Sequence, residues 1–119
     1  MMRKALIIDD NLTQAKLLKD AATEFFIDAD IIFEAITPKK LGSMNLRYDG
    51  YDILIIDQEL GDGLKGDTLA EDILGIGYSG RCIIYTGDIA FEPCNIEILV
   101  ANKGDTARLF ELISEMCNV

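Results

Sequence analysis

The run Ile53-Leu54-Ile55-Ile56, closed by Asp57, decides the architecture. Four branched aliphatic residues with no polar alternation predict a strand buried on both faces, and such strands belong to parallel sheets covered by helices. Upstream, Ala5–Ile8 is a second compact apolar run, ended by Asp9-Asp10. Leu12, Ala15, Leu18, Ala22 and Phe25 then recur at steps of three and four, which is helical spacing. Asn11 followed by Gln14 suits a capping box at that helix start. Ile31–Phe33 predicts a strand and Pro38–Tyr48 a short helix. Downstream, Gly61-Asp62-Gly63-Leu64-Lys65-Gly66 reads as a loop, Thr68–Leu74 as a helix, and Cys82–Tyr85 and Ile96–Ala101 as the fourth and fifth strands. Asp105 is a good N-cap for a last helix with the stripe Leu109, Leu112, Ile113 and Met116. Phe25, Phe26, Leu109 and Met116 are assigned to the core. Strands alternating with helices imply right-handed βαβ units in an open, doubly wound α/β sheet.

Composition narrows the chemistry. A chain of 119 residues corresponds to one domain, 1–119, at roughly 100–200 residues per domain. Asp and Glu number 21 against 11 Lys and Arg, a net charge of −10. Such a chain gains nothing from counterion release at phosphates, so a nucleic-acid partner is not expected. Histidine is absent, which excludes a His general base, a Ser-His-Asp triad and His-ligated zinc or haem. Cys82, Cys94 and Cys117 are odd in number and have no C-x-x-C spacing, against both a disulfide framework and a thiolate metal site. They lie in or beside apolar runs and are expected to be buried or chemically bland. No apolar run reaches the ~18 residues of a membrane span, and Ala5–Ile8 is too short for a signal-peptide core. The expectation is a cytoplasmic protein with no membrane partner.

In doubly wound sheets, ligands bind outside the carboxyl ends of the strands, where the strand order reverses. The first strand delivers Asp9 and Asp10 there, the third Asp57, the fourth Thr86, and the fifth Lys103 after Asn102. Three carboxylates packed together repel one another unless a cation is present. Mg²⁺ prefers carboxylate and carbonyl oxygens plus waters, and it leaves an aspartate ionised as a nucleophile toward phosphorus. Lys103 and the Thr86 hydroxyl suit the charge of the phosphoryl oxygens.

With those residues assembled, the chain resembles a receiver domain of the two-component response-regulator family, of the chemotaxis-regulator-like kind. The motifs that carry the likeness are ALIIDDN (Ala5–Asn11), YDILIIDQEL (Tyr51–Leu60), CIIYTGD (Cys82–Asp88) and ILVANKGD (Ile98–Asp105). The resemblance implies a flavodoxin-like, five-stranded parallel sheet in the order 2-1-3-4-5. It implies that Asp57 is the phosphoacceptor, Thr86 the switch hydroxyl and Lys103 the phosphate-contacting lysine. Mg²⁺ would be the cofactor, held by Asp9, Asp10, Asp57 and the backbone carbonyl of Glu59, with Asp10 preferred over Asp9 as a direct ligand. The partners implied are a histidine kinase or histidine phosphotransfer protein as donor, and a downstream protein target. A receiver accepts and hydrolyses its own aspartyl phosphate rather than turning over a substrate as an enzyme.

Four features depart from the family pattern. Gly61 stands where a proline is usual, and the glycine-rich loop there is expected to be mobile. Only 16 residues separate Thr86 from Lys103, and Pro93 disfavours helical geometry at Glu92. A fourth helix of the usual ~11 residues does not fit, so a short turn or loop is expected over Gly87–Asn95. Val100 occupies the position of the family's aromatic switch residue. Glu59 and Asp88 add negative charge two residues beyond Asp57 and Thr86. The altered fourth segment and Val100 motivate an alternative, a receiver-like binding module that works without phosphorylation; the complete set of five residues argues for the phosphoacceptor. Other phosphate scaffolds fit less well. A haloacid-dehalogenase-type phosphatase needs Asp-x-Asp where Asp9-Asp10-Asn11 stands, a flavodoxin needs a hydroxyl-rich first loop, and no G-x-x-x-x-G-K-[ST] occurs.

Overall fold

Residues 2–39, 48–88, 90–93, 95 and 97–119 are described by the structure, a computed structural model. In chain order the elements are β1 (Arg3–Ile8), α1 (Leu12–Phe25), β2 (Ile31–Ile36), a 3₁₀ turn at Tyr48–Gly50, β3 (Ile53–Asp57), α2 (Gly66–Gly75), β4 (Arg81–Thr86), β5 (Ile98–Asn102) and α3 (Thr106–Cys117). The five strands form one sheet in the order β2-β1-β3-β4-β5, and every pairing is parallel. This is the doubly wound 2-1-3-4-5 arrangement that the resemblance implies.

β3 is buried at all five positions, as its unbroken aliphatic run requires. Alternate side chains feed two cores. Ala5, Ile7, Ile53, Ile55 and Ile83 pack under α1 and α3, together with Leu109, Leu112 and Ile113. Leu6, Ile8, Leu54, Ile56 and Ile84 pack under α2 with Ala70 and Ile73. Each fully buried Leu or Ile contributes about 1.5–3 kcal/mol relative to exposure, so the sheet centre dominates stability. Cys82 and Cys117 are buried among these residues, as expected; Cys94 lies outside the described residues.

Several sequence expectations need correction. In α1 only Ala15 and Ala22 are buried, while Leu12 is exposed and Phe25 is 61% exposed. At about 100° per residue, Phe25 lies about 80° off the line through Ala15, whereas Phe26 lies about 20° off it. Phe26 is accordingly the buried ring, at 5% exposure, and Phe25 rests against it and against Phe110 with centroids 4.8 Å apart in each case. Only one half of the capping box forms among the described residues: Asn11 Oδ1 accepts from the Gln14 N–H at 3.1 Å.

β5 starts at Ile98 rather than Ile96. The Asn95 side chain accepts from the Glu97 N–H at 2.8 Å and the Asn95 carbonyl from the Ile98 N–H at 3.1 Å, which turns the chain just before the strand. Gly66 belongs to α2 rather than to the preceding loop. The rest of that loop forms a small antiparallel hairpin, with Glu59 bridged to Lys65. Gly61, Asp62 and Gly63 make its tip with positive φ, a conformation glycine adopts without strain.

Between β4 and β5 the described residues contain no helix. Side-chain turns replace it: Thr86 accepts from the Asp88 N–H and Asp88 from the Ala90 N–H. The helix expected over Pro38–Tyr48 falls largely on residues 40–47, outside the described residues. Among the described residues, no helix is long and apolar enough to cross a membrane.

Candidate functional site

β1 pairs with β2 on one side and β3 on the other, so the strand order reverses beside it and opens a crevice at the carboxyl edge. The register Ile8↔Ile56 brings the residues that follow, Asp9 and Asp57, level with each other. Asp57 pairs with Tyr85, and Thr86 with Asn102. The sheet therefore gathers at one edge the residues that the sequence delivers from four strand ends.

Burial singles out the same place. Among the described residues the buried polar side chains are Asp9, Asp57, Gln58 and Thr86, at 7%, 7%, 9% and 4% exposure. All four lie at this edge, three of them expected site residues. Burying an unpaired charge is costly, so a cluster of this kind needs charge compensation.

Part of that compensation is present. Carboxylate oxygens of Asp9, Asp10 and Asp57 lie within 4.8 Å of one another. Lys103 Nζ is 2.9 Å from Asp57 Oδ1, and the Asn11 N–H donates to Asp9 Oδ1 at 2.9 Å. Burial pushes the Asp9 carboxyl up to about 6; the Asn11 N–H opposes this, and the Asp57 charge adds to it. For Lys103 burial works against the charge, but the hydrogen bond and charge of Asp57, helped by Asp9, outweigh it and raise its pKa. One ammonium faces three carboxylates, and the shortfall suits a hard divalent cation such as Mg²⁺.

The donor set fits that ion. Asp10 is solvent-exposed beside buried Asp9 and Asp57, leaving room for the waters that Mg²⁺ retains. In the hairpin after β3, Leu60 N–H donates to Leu64 O and Gly66 N–H to Gln58 O. Those bonds flank the Glu59–Lys65 pair, so the Glu59 main-chain groups turn outward from the ladder. The Glu59 carbonyl therefore has no partner within the hairpin ladder.

The two acids beyond Asp57 and Thr86 are engaged elsewhere. Glu59 pairs with Lys65 Nζ at 2.5 Å, and Asp88 Oδ1 accepts from the Ala90 N–H at 2.9 Å. A cleft of about 310 Å³ opens beside Asp9 and Lys103, lined by Gln14, Leu17, Tyr85 and Thr106 among others. Another of about 440 Å³ lies on the Asp10 side, lined by Thr37, Lys39, Leu60 and Asp62 among others.

Three supporting residues escaped the sequence reading. Gln58 exchanges two hydrogen bonds with Asp67, Nε2 to Oδ1 at 2.9 Å and Asp67 N–H to Oε1 at 3.0 Å, which ties the start of α2 to the end of β3. Gly66 is the second: a Cβ there would meet the Asp57 carbonyl oxygen at 2.3 Å. Tyr85 Oη lies 3.1 Å from Thr106 Oγ1 and donates to the Lys103 carbonyl at 3.4 Å, bracing the turn that carries the lysine. Only Gly66 had a local signal, as the last glycine of its loop; the other two are read only from the folded arrangement.

The sequence matches no family model and no curated protein. Solved structures do match over nearly the whole chain. The CheY-like receiver domain of a response regulator from Methylobacillus flagellatus is 22% identical with a TM-score of 0.75, covering 98% of this chain and 99% of that one. A response-regulator receiver domain protein from Bacillus halodurans C-125 is 14% identical with a TM-score of 0.76, covering 98% and 97%. The receiver domain of a DNA-binding response regulator from Colwellia psychrerythraea 34H is 16% identical with a TM-score of 0.77, covering 98% and 99%. At such identities the likeness is one of backbone. The chain thus has the CheY-like receiver fold of response regulators, with the fourth helix reduced to turns among the described residues.

Proposed function

We propose that this protein is a phosphoacceptor receiver of a two-component or phosphorelay system, with Asp57 as the acceptor. The observation that carries the reading is the setting of Asp57: a buried carboxylate with Lys103 Nζ at 2.9 Å and two further acids within reach. An Asp57 oxygen attacks the phosphorus of a partner's phosphohistidine. The P–O bond forms as the P–N bond breaks, and the imidazole leaves with the electron pair and takes up a proton. Lys103 and the Thr86 hydroxyl meet the phosphoryl oxygens, since this reaction needs positioning and charge neutralisation above all. Asp9, Asp10, Asp57 and the Glu59 carbonyl would hold Mg²⁺, which when bound neutralises charge on the phosphoryl oxygens. Attack of water on the aspartyl phosphate releases inorganic phosphate and restores the carboxylate, so the domain signals rather than turning over a metabolite. A downstream protein reads the phosphorylated state.

The test is incubation with Mg²⁺ and acetyl phosphate, followed by intact-mass measurement, for the wild type and Asp57→Asn. The wild type is expected to gain one phosphoryl mass and the variant none. If the wild type takes no phosphoryl group from acetyl phosphate, other small donors or a phosphohistidine protein, and beryllofluoride draws no conformational response, the reading fails. A receiver-like binding module that works without phosphorylation then replaces it.

A further inference from the structure

Among the described residues, one buried side-chain nitrogen or oxygen lacks a hydrogen-bond partner: Asn102 Nδ2. Its orientation is settled by the other end of the amide. Oδ1 accepts from the Gly104 N–H at 2.7 Å, and a flipped amide would set its NH₂ against that N–H. The NH₂ therefore faces the other way, shielded from solvent. A buried donor without a partner is costly and calls for an explanation.

The register supplies one. Asn102 pairs with Thr86 across β4 and β5, and side chains at paired positions of a parallel ladder project from the same face of the sheet. That face holds Cys82, Ile84, Ile98 and Val100, two and four residues before Thr86 and Asn102 on their strands. The apolar Val100 has no polar atom with which to follow Thr86. Asn102, two residues further on, has one. At present Thr86 Oγ1 accepts from the Asp88 N–H at 3.1 Å.

We infer that Asn102 is a positioning residue that couples Thr86 to the lysine turn. The inference rests on the phosphoacceptor reading above. When the Thr86 hydroxyl turns to donate to a phosphoryl group on Asp57, Asn102 Nδ2 donates to the lone pair thereby presented on Oγ1; a hydroxyl has one donor and two acceptor sites, so both bonds coexist. The same amide holds Gly104 through Oδ1, and the Asn102 carbonyl accepts from the Asp105 N–H at 2.9 Å. Lys103, between these anchors, is the residue that contacts Asp57. The phosphoryl group is thus gripped from β4 and β5 through one side chain, and the turn leading to α3 reports the change.

The experiment follows the Asn102 side-chain NH₂ by NMR in ¹⁵N-labelled protein, with and without beryllofluoride and Mg²⁺; acetyl phosphate labelling is measured in parallel. In the wild type, hydrogen exchange at that NH₂ is expected to slow at least tenfold on activation, and in Thr86→Val it is expected not to slow. Equal rates in both wild-type states, or slowing that persists in Thr86→Val, overturn the inference. Asn102→Asp keeps an acceptor for the Gly104 N–H but removes the donor. Per labelled molecule, its activation shifts at the Asp88 and Gly104 amides are expected to fall to half or less of the wild-type values. Shifts of wild-type size would show that Asn102 merely supports the turn, and would overturn the inference. A wild type that, with its fold intact, takes no label from acetyl phosphate, other small donors or a phosphohistidine protein and shows no beryllofluoride response overturns the phosphoacceptor reading, and this inference with it; a labelled wild type with an unchanged Asn102 overturns the inference alone.

Discussion

The α-carbon of Gly66 faces the main-chain carbonyl of Asp57 so closely that an added Cβ would lie 2.3 Å from its oxygen and 3.0 Å from the Gln58 Cα. The atoms in the way are backbone and belong to the end of a fully buried strand. Gly66→Ala therefore has to move either α2 or the acceptor strand. It is expected to cost about 1–3 kcal/mol of stability, the usual range for overpacking, and to lower the rate of Asp57 phosphorylation by acetyl phosphate. Urea unfolding and intact-mass time courses check both effects. A variant with wild-type stability and rate would show that the contact between α2 and β3 is softer than this geometry implies.

Lys103 is 39% exposed and Asp57 only 8% exposed, measured on their side chains. The pair sits between the surface and buried regimes, so Lys103→Ala is expected to destabilise the metal-free protein by about 1 kcal/mol, well short of the full cost of a buried pair. Three carboxylates would then face one another without their ammonium. Saturating Mg²⁺ is expected to raise the melting temperature of the wild type and to raise that of Lys103→Ala by more, because the ion takes over a charge that the variant has lost. Asp10→Ala is expected to weaken the Mg²⁺ effect. Melting curves in Mg²⁺ and in EDTA decide this; identical shifts in all three proteins would contradict the acidic-pocket assignment.

At the far side of the sheet, Tyr51 Oη donates to Glu34 Oε2 at 2.5 Å, and Lys4 Nζ lies 3.4 Å from Glu34 Oε1. The Tyr51 hydrogen bond, with Lys4 assisting, holds the Glu34 carboxyl below its ordinary 4.5 despite partial burial. Burial and Glu34 together push the Tyr51 phenol up to about 12 from 10.0. For the carboxyl, the unfolded chain binds the proton more tightly. Its contribution to stability is therefore complete above about pH 4.5 and declines as pH falls through the folded value. For the phenol, the contribution is complete below pH 10.0 and lost as pH rises toward about 12. Tyr51→Phe is expected to move the Glu34 titration midpoint upward, read from its carboxyl ¹³C shift. An unmoved midpoint would assign the lowering to Lys4 alone.

The legibility of this protein varies with the range of the interactions involved. Strand identity was readable because Ile53–Ile56 and Ala5–Ile8 carry their burial in local hydrophobicity, whereas the strand order came with the resemblance to receiver domains. The polar residues that end those strands needed only the topology to bring them together. That the described residues between β4 and β5 form turns rather than a helix was likewise readable, since Pro93 and a short interval leave no room for one of usual length. The reading failed where rotation about a helix axis mattered. Phe25 and Phe26 are adjacent and chemically alike, and only their angle to the Ala15–Ala22 line separates an exposed ring from a buried one.

By itself, the sequence determined an acidic α/β chain without histidine, with aspartates, a threonine and a lysine at strand ends. Those properties are local or compositional. The tertiary structure alone decided that Asp9, Asp57 and Thr86 are buried together, that Glu59 and Asp88 are occupied by Lys65 and the Ala90 N–H, and that Asn102, whose Nδ2 is unpaired, sits in register with Thr86. Each of these depends on distances between residues remote in the chain. Such distances are set by sheet register and by close packing, which no single segment encodes.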